Sequence, residues 1–270
     1  MNPPKYVFIT GAAGGIGFEL LKIVLRENNK IFCFDIDADS LEKLPQKLGA
    51  LWNSSICLRA GDCSKQSEID SAINDFLGSI VGKYQLDLYV VHGLAITKSE
   101  IDFDSVRVAK LNMDSNYFGV INTITSALPY LKNASKSQIT VVSSNSSLRS
   151  TKRSGEYSAS KAAINLWLES LRIQLISSAT KVTLVLPSFV ETKMTRFNTH
   201  SMPGIISAEK AAMLIVKATR AGRAVTVIPA SAKVASWGLK LLPTPIWVRL
   251  FSLLDIFFGS EDQKEGSNAD

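Results

Sequence analysis

The sequence has few of the residues that metal centres and disulfide scaffolds require. It has only two histidines, His92 and His200, which nearly excludes a histidine-rich zinc site. Its three cysteines, Cys33, Cys57 and Cys63, follow neither a metal-binding nor a redox spacing. An odd number of cysteines without a signal-peptide pattern predicts reduced thiols in the cytoplasm. We therefore predict no metal site.

The sequence also lacks clustered positive charge. Its formal net charge is +6, but the lysines and arginines are scattered along the chain. Without a basic stripe and interleaved aromatic side chains, we expect no nucleic-acid partner. A mildly basic protein still favours anionic ligands or membrane surfaces, so those partners stay open.

What the sequence does have is enough apolar residues for a large core, since 46% of its 270 residues are hydrophobic. Apolar runs of strand length alternate with amphipathic stretches of helical length. We predict strands at 6–10, 30–35, 55–60, 86–91, 138–143, 181–186 and 224–228, and helices at 15–28, 39–48, 65–81, 104–132, 155–178 and 207–221. This alternation predicts an α/β fold, a Rossmann-like doubly wound parallel sheet with helices on both faces. Ligands of such folds bind outside the carboxyl ends of the strands.

A glycine-rich turn, "TGAAGGIG", joins the first predicted strand to the first helix. Gly11, Gly15 and Gly17 allow the backbone to turn tightly and to approach a ligand closely. The N-terminus of the following helix offers free N–H groups and a positive dipole end, which suit a pyrophosphate. A tight turn without a ligand is the simpler alternative.

An aspartate ends the second predicted strand. Asp35 can accept hydrogen bonds from the adenosine ribose hydroxyls, and its charge would repel a 2′-phosphate. Gly14 and Ile36 offer no cation for that phosphate. The position therefore predicts NAD rather than NADP, although Asp35 can also act as a turn cap. Asp62, after the third strand, can cap the next helix, contact the adenine edge, or do both.

The stretch "YSASK" places Tyr157 and Lys161 on one face of a predicted helix. A nearby ammonium favours the phenolate, so we expect Lys161 to lower the pKa of Tyr157. The phenol could then exchange a proton with a carbonyl or alcohol oxygen. Ser144 ends the preceding strand, and at the carboxyl edge of the sheet it can hold that oxygen beside the phenol.

With these residues the chain resembles a short-chain dehydrogenase/reductase over about residues 5–228. "TGAAGGIG" meets the glycine motif of that family, and Ser144, Tyr157 and Lys161 match its catalytic set. Asn116, in "NYFGVINTITSALPYL", matches its helix asparagine. The resemblance implies that Ser144 orients the substrate oxygen and that Tyr157 is the general acid in reduction and the general base in oxidation. Lys161 would tune the tyrosine and bind the nicotinamide ribose, and Asn116 would hold a water.

The resemblance also implies a cofactor-binding set. This set comprises Gly11, Gly14, Gly15, Ile16, Gly17, Asp35, Asp62, Gly93, Tyr157, Lys161, Val190 and Thr192. Two motifs depart from the family pattern. "VVHGLAI" replaces Asn-Asn-Ala-Gly after the fourth strand, and Pro187-Ser188 replaces Pro-Gly. His92 either supplies a hydrogen bond that the lost asparagine made or simply packs.

Substrate choice is expected to lie in segments that vary within the family. The loop 145–156 carries Arg149, Lys152 and Arg153, which either attract an anionic substrate such as an acyl thioester or are simply solvated. Residues 191–205 form a predicted lid with an apolar side made by Met194, Phe197 and Met202.

We expect three regions in the chain. Residues 1–229 form the dinucleotide-binding and catalytic domain, 230–258 an amphipathic hydrophobic helical extension, and 259–270 a disordered tail. In the extension, Lys233, Ser236 and Lys240 mark one narrow polar stripe, and Arg249, Ser252 and Asp255 mark a second. The two helices are too short to span a bilayer. They could lie in a membrane interface, wall a lipophilic pocket, contact a second subunit or pack on their own domain.

The sequence thus predicts an NAD(H)-dependent alcohol/ketone oxidoreductase with a lipophilic small-molecule substrate that is long-chain, steroid-like or an acyl thioester. We expect a homodimer or homotetramer in the cytoplasm, with peripheral contact through 233–258 at the inner membrane face. An NADPH-dependent ketoreductase and a non-catalytic nucleotide-binding regulatory protein are the alternatives. Asp35 argues against the first, and the complete Ser144, Tyr157, Lys161 and Asn116 set argues against the second.

Overall fold

A seven-stranded parallel sheet forms the centre of the molecule. The structure is a computed structural model and describes residues 3–27, 29–97, 101, 104–196, 202 and 204–258. The sheet strands are β1 (Lys5–Thr10), β2 (Lys30–Asp35), β3 (Ile56–Ala60), β4 (Gln85–Val90), β5 (Lys136–Val142), β6 (Thr180–Pro187) and β9 (Val225–Ile228). Their order is β3-β2-β1-β4-β5-β6-β9, so the strand order reverses between β1 and β4. The predicted fold class is confirmed, and its ligand crevice is expected at this reversal.

Helices cover both faces of the sheet. They are α1 (Gly15–Leu25), α2 (Ala38–Glu42), α3 (Leu44–Leu48), α4 (Gln66–Leu77), α5 (Ser105–Met113), α6 (Gly119–Asn133), α7 (Gly155–Gln174), α8 (Ala208–Arg220), α9 (Ala232–Leu241) and α10 (Thr244–Phe258). The core on one face packs against α4, α6 and α7, and the core on the other packs against α1 and α8. The inner strands are therefore buried on both sides, which explains their nearly continuous apolar runs, whereas the edge strands β3 and β9 are only partly buried.

The strand β1 shows how the alternating side chains divide between the two cores. Phe8 points to one face, where its ring stacks on Phe32 with centroids 4.9 Å apart. Val7 and Ile9 point to the other face and are fully buried there. This alternation holds the strand in register, because a shift by one residue would exchange the two faces.

Two predicted helices are interrupted in the structure. The helix predicted at 39–48 divides into α2 and α3 beside Pro45, which lacks the N–H that a continuous helix would need. The helix predicted at 104–132 contains a π-helical turn, Asp114–Phe118, between α5 and α6. Such turns often occur at functional sites.

Two short strands that the sequence did not predict lie at the ends of the predicted lid. They are β7 (Val190–Glu191) and β8 (Ile206–Ser207), and they pair in parallel. Met194, between them, is 48% exposed. Phe197 and His200 lie outside the described residues.

The C-terminal extension forms helices α9 and α10, as expected from its pattern. The predicted polar stripe is wrong at Ser236, which is 2% exposed and donates its hydroxyl hydrogen bond to the Ala232 carbonyl. Because the Ser236 side of the helix faces the protein, Val234 and Leu241 lie in solvent and are 84% and 82% exposed.

The boundary at 229 stays a prediction, and the tail 259–270 lies outside the described residues. None of the helices that the structure describes is both long and apolar enough to cross a membrane.

Candidate active site

The glycine turn lies between β1 and α1 and closes only because side chains are absent. Gly11 has φ +70°, and its N–H donates to the Phe34 carbonyl at 2.8 Å. A Cβ on Gly17 would lie 2.0 Å from the Gly11 oxygen. Gly14 precedes α1 at the N-cap position and offers no side-chain cap, and the first turn carries no acidic residue among those described. The first N–H groups of α1 therefore suit an anion, and the turn fits a dinucleotide pyrophosphate.

Thr192, at the start of the predicted lid, packs against the glycine turn. A Cβ on Gly15 would lie 3.0 Å from the Thr192 methyl carbon, so the two segments are in close contact. Gly14 and Gly15 are exposed, and Ile16 is half-buried beside them. Val190 is buried in β7, and its carbonyl accepts a hydrogen bond from the Thr195 hydroxyl at 2.7 Å. The structure thus brings both predicted cofactor segments to one place.

Asp35 lies at the end of β2 and holds this turn in place. One carboxylate oxygen accepts the Ala13 N–H at 2.9 Å, and the other accepts the Asp37 N–H at 3.1 Å. The alternative of a turn cap is therefore realised, and each oxygen keeps a lone pair for a further donor. The neighbouring Ile36 is 71% exposed and adds no charge.

Asp62 does not cap the next helix. Its carboxylate accepts the Ser64 N–H at 2.8 Å and makes a turn, whereas α4 begins at Gln66 without a side-chain cap. The Asp62 N–H in turn donates to the Glu68 carboxylate at 2.8 Å. Of the predicted roles, only the contact with an adenine edge stays a prediction.

Lys161 is the most buried charged group at this edge of the sheet. It is 4% exposed, and its amine donates to the Val142 carbonyl at 3.4 Å. A Cβ on Gly93 would lie 2.9 Å from the amine nitrogen and 3.0 Å from the Asn116 amide oxygen. Gly93 therefore leaves room for these two side chains where the segment after β4, α7 and the π turn meet.

Asn116 occupies the π turn and is fully buried. Its amide oxygen accepts the Leu94 N–H at 2.8 Å, and its amide nitrogen donates to the Leu94 carbonyl at 2.7 Å. The same nitrogen donates to the Ser160 hydroxyl at 3.0 Å. This side chain thus ties the segment after β4 to helix α7, next to Lys161.

Ser144 and Tyr157 meet where β5 and α7 converge. The Ser144 hydroxyl lies close enough to the Tyr157 phenol to lower its pKa. Ser144 also accepts the Ser146 N–H at 3.1 Å, which fixes the start of the loop. The structure therefore brings together all four residues of the predicted catalytic set.

Burial dominates the pKa values of this cluster. It raises the pKa of Tyr157, and the hydrogen bond from Ser144 partly lowers it again. The expectation that Lys161 lowers the pKa of Tyr157 is wrong in this structure, because the lowering contribution comes from Ser144. Burial also lowers the pKa of Lys161 to about 8. A group taken out of water favours its neutral form.

His92 replaces the lost asparagine as a link between strands. Its Nδ1 lies 2.7 Å from the Thr10 hydroxyl, which joins the ends of β4 and β1. Of the two alternatives, the hydrogen bond is therefore the correct one. Burial first, and then the nearby Lys161, lower the pKa of His92 to about 4. The imidazole is neutral at physiological pH.

Sequence reasoning missed Asn112, which lies one turn before Asn116 on the same helix face. Asn112 is fully buried, accepts the Ile96 N–H at 3.3 Å and donates to the Ile96 carbonyl at 2.9 Å. Together the two asparagines hold the segment after β4. The available signal was their spacing of i, i+4 on a predicted helix.

Comparison with known proteins gives one family and many relatives. A family model described as short chain dehydrogenase matches residues 5–203. The 11-beta-hydroxysteroid dehydrogenase A of Sesamum indicum is 28% identical, over 97% of this chain and 78% of its own length. The 11-beta-hydroxysteroid dehydrogenase-like 2 of Arabidopsis thaliana is 32% identical over 71% of this chain, and the match spans 61% of its length.

Solved structures share the fold. A short chain dehydrogenase from Burkholderia cenocepacia, in complex with NADP, has a TM-score of 0.77 at 22% identity and covers 92% of this chain and 98% of its own. A short chain dehydrogenase/reductase from Burkholderia phymatum, in complex with NAD, has a TM-score of 0.74 at 18% identity, with coverages of 87% and 92%.

We predict that the Lys161 amine titrates at about pH 8, whereas ordinary lysines titrate near about 10.4. Because burial disfavours its charged form, this amine should lose its proton first as the pH rises. NMR titration of the lysine side-chain methylene signals should show one such group, which the Lys161→Arg variant should lack. The exposed-site variant Lys181→Arg should keep it. Titration of every lysine signal near about 10.4 would contradict this assignment.

Proposed function

This chain belongs to the short-chain dehydrogenase family, and we propose that it interconverts an alcohol and a ketone on a lipophilic substrate, with NAD(H) as cofactor. As a member of this family it is an oxidoreductase. The proposal is carried by one observation, the convergence of Ser144, Tyr157, Lys161 and Asn116 beside the glycine turn. A bound nicotinamide supplies or accepts the hydride, and the protein residues handle the proton.

Tyr157 is the proposed proton donor and acceptor. Ser144 lies close enough to its phenol to lower the phenol's pKa, and would hold the substrate oxygen beside it. Because burial raises the pKa of Tyr157, the phenol keeps its proton at neutral pH. This protonation state supports a general acid for carbonyl reduction. Alcohol oxidation needs the phenol deprotonated, so its rate should increase with pH.

Lys161 is the proposed partner of the nicotinamide ribose. With a pKa of about 8, its amine is mainly protonated at neutral pH and can donate hydrogen bonds to hydroxyl groups. Gly93 and Asn116 border the amine and keep it in place. At the other end of the cofactor, the N–H groups of Gly15, Ile16 and the rest of the first turn of α1 would hold the pyrophosphate.

NAD(H) is favoured over NADP(H) by the residues at the end of β2. Asp35 would repel a 2′-phosphate, and Ile36 is exposed without a charge to bind it. The structural relatives include one in complex with NAD and one in complex with NADP, so the preference rests on this chain's own residues.

A lipophilic substrate is supported by two independent features. Two relatives carry the name 11-beta-hydroxysteroid dehydrogenase, at 28% and 32% identity. In this chain, α9 and α10 leave several apolar side chains in solvent, which are Val234, Leu241, Ile246, Val248 and Leu253. A lipophilic substrate partitions into membranes, so an apolar surface of this kind would suit an enzyme that collects it there.

We propose that α9 and α10 contact an anionic membrane surface from the cytoplasmic side. Their exposed apolar side chains lie among the exposed cations Lys233, Lys240 and Arg249. Apolar area together with cations is the combination that binds anionic interfaces.

A homodimer or homotetramer stays a prediction, to be checked by sedimentation velocity. It is supported by exposed apolar side chains on α5 and α7, which are Val106, Leu111, Leu166 and Ile173. A second copy of the chain would remove them from water.

The first test of this function replaces the proposed acid. Tyr157→Phe should lower kcat by about 10²–10⁴-fold, the usual cost of losing a positioned acid–base group, while the Kd for NADH stays within about twofold. Tyr130→Phe, which removes a phenol bonded to Asn74, is the matched control and should keep full activity. Steady-state kinetics and NADH fluorescence measure both quantities. A Tyr157→Phe enzyme that keeps more than about a tenth of kcat would refute the role.

The second test concerns the cofactor. Asp35→Asn with Ile36→Arg should raise the affinity for NADPH relative to NADH by about 10²-fold. The double change removes the repulsion between the Asp35 carboxylate and the 2′-phosphate, and it adds an arginine that can bind this phosphate. Asparagine is chosen because its amide oxygen can keep one of the two N–H bonds of Asp35. Competitive titration measures the ratio, and Ile36→Gln is the control. A wild-type protein that binds NADPH more tightly than NADH would contradict the NAD(H) assignment.

The third test concerns the membrane. Wild-type protein should sediment with phosphatidylserine-containing vesicles, and less with phosphatidylcholine alone, because its cations attract the anionic lipid. Val234→Gln, Leu241→Gln and Leu253→Gln together should lower the sedimented fraction about tenfold, since each removes exposed apolar area. The control, Val81→Gln with Ile101→Gln, changes side chains that are each 94% exposed elsewhere. Equal sedimentation of the two variants would reject the contact.

A further inference from the structure

Three hydrogen bonds join the loop 145–154 to the C-terminal helices, which are distant in sequence. The Arg149 guanidinium donates to the Lys240 carbonyl at 3.2 Å and also to the Leu242 carbonyl. The Trp247 indole N–H donates to the Ser150 carbonyl at 3.1 Å. We use the name latch for these two side chains, Arg149 and Trp247, with the three carbonyls that they contact.

The latch uses groups that would otherwise lack partners. The last carbonyls of a helix have no intrahelical donor; Lys240 lies in the last turn of α9, and Leu242 directly follows the helix. A guanidinium is well suited to them, because it presents several donors in one plane and its charge faces the negative end of the helix dipole. Arg149 is half-buried, so water competes less for these bonds.

At its other end the loop is tied to the proposed catalytic serine. The Ser147 hydroxyl donates to the Ser144 carbonyl, and the Asn165 amide nitrogen donates to the Ser147 hydroxyl at 2.7 Å. The loop then ends at α7, where Tyr157 lies in the first turn. A segment held at Ser144, at Tyr157 and at the latch has little freedom to move between these three points.

The latch also sets the position of a cleft. The cleft has a volume of about 350 Å³ and lies between residues 150–152 of the loop and Trp247, Val248 and Phe251 of α10. The Trp247 and Phe251 rings pack together with centroids 5.5 Å apart. One wall of the cleft therefore belongs to the loop 145–154 and the other to the C-terminal extension. The hydrogen bond from the Trp247 indole to the Ser150 carbonyl joins the two walls.

We propose that Arg149 and Trp247 are positioning residues that hold the loop between Ser144 and Tyr157 and so determine how tightly the apolar part of the substrate binds. The expectation that Arg149 attracts an anionic substrate is replaced by this role, because its guanidinium contacts protein carbonyls. The part of this inference that concerns substrate rests on the proposed function. The part that concerns the loop does not.

The first experiment measures hydrogen–deuterium exchange without substrate or cofactor. Arg149→Ala should increase exchange about tenfold in 145–154 and 240–250, while the glycine turn at 10–17 stays unchanged. Arg149→Lys can restore one of the two carbonyl bonds and should rescue part of the protection. Trp247→Phe keeps the ring contact with Phe251 but loses the indole N–H, so it should increase exchange in residues 150–152. Arg223→Ala removes an exposed arginine elsewhere and is the control.

The second experiment screens long-chain, steroidal and acyl-thioester alcohols and then measures turnover of the one that the wild-type protein oxidises best. Arg149→Ala should raise KM about tenfold, with a much smaller change in kcat and an NADH Kd within about twofold, and Arg149→Lys should lie between it and wild type. Unchanged exchange in 145–154 would overturn the latch itself. Increased exchange with unchanged KM would overturn its role in substrate binding. Absence of any turnover by the wild-type protein would refute the proposed function and leave the exchange result as the test of the latch.

Discussion

The candidate active site, at the carboxyl edge of the sheet, depends on the burial of one amine. This is the amine of Lys161, which lies where the segment after β4, helix α7 and the π turn meet. Gly93 gives the amine room, since a Cβ there would lie 2.9 Å from its nitrogen. It has a polar boundary only because Asn116 and the Val142 carbonyl lie beside it. Asn116 lies in the π turn and bonds to the backbone of Leu94. The glycine, the π turn and the end of β5 therefore act as one unit.

Burial, rather than charge pairing, decides the protonation states at this edge. It lowers the pKa of Lys161 to about 8 and that of His92 to about 4, and it raises the pKa of Tyr157. The phenol therefore holds its proton and the imidazole is neutral near pH 7, while the lysine is mainly charged. Such a site offers a proton more readily than it takes one, which agrees with the proposed acid role of Tyr157.

The proposed specificity of the protein depends in part on helices that lie outside the region matched by the family model. The family model matches residues 5–203, whereas α9 and α10 begin after it, at Ala232 and Thr244. These helices are not independent of the catalytic domain, because Arg149 and Trp247 tie them to the loop between the two proposed oxygen-binding residues. This connection is the basis of the proposals that the helices affect substrate binding and that their exposed apolar side chains contact a membrane.

The sequence by itself determined the α/β fold and the residues that meet at the site, since apolar strands and short motifs are local signals. Only the tertiary structure decided the inward turn of Ser236, the turn made by Asp62 and the engagement of Arg149 with α9. It also decided the raised pKa of Tyr157, because desolvation depends on everything packed around the phenol. Arg149 and its Lys240 partner are separated by 91 residues, and no pattern of neighbouring residues encodes a contact over that distance.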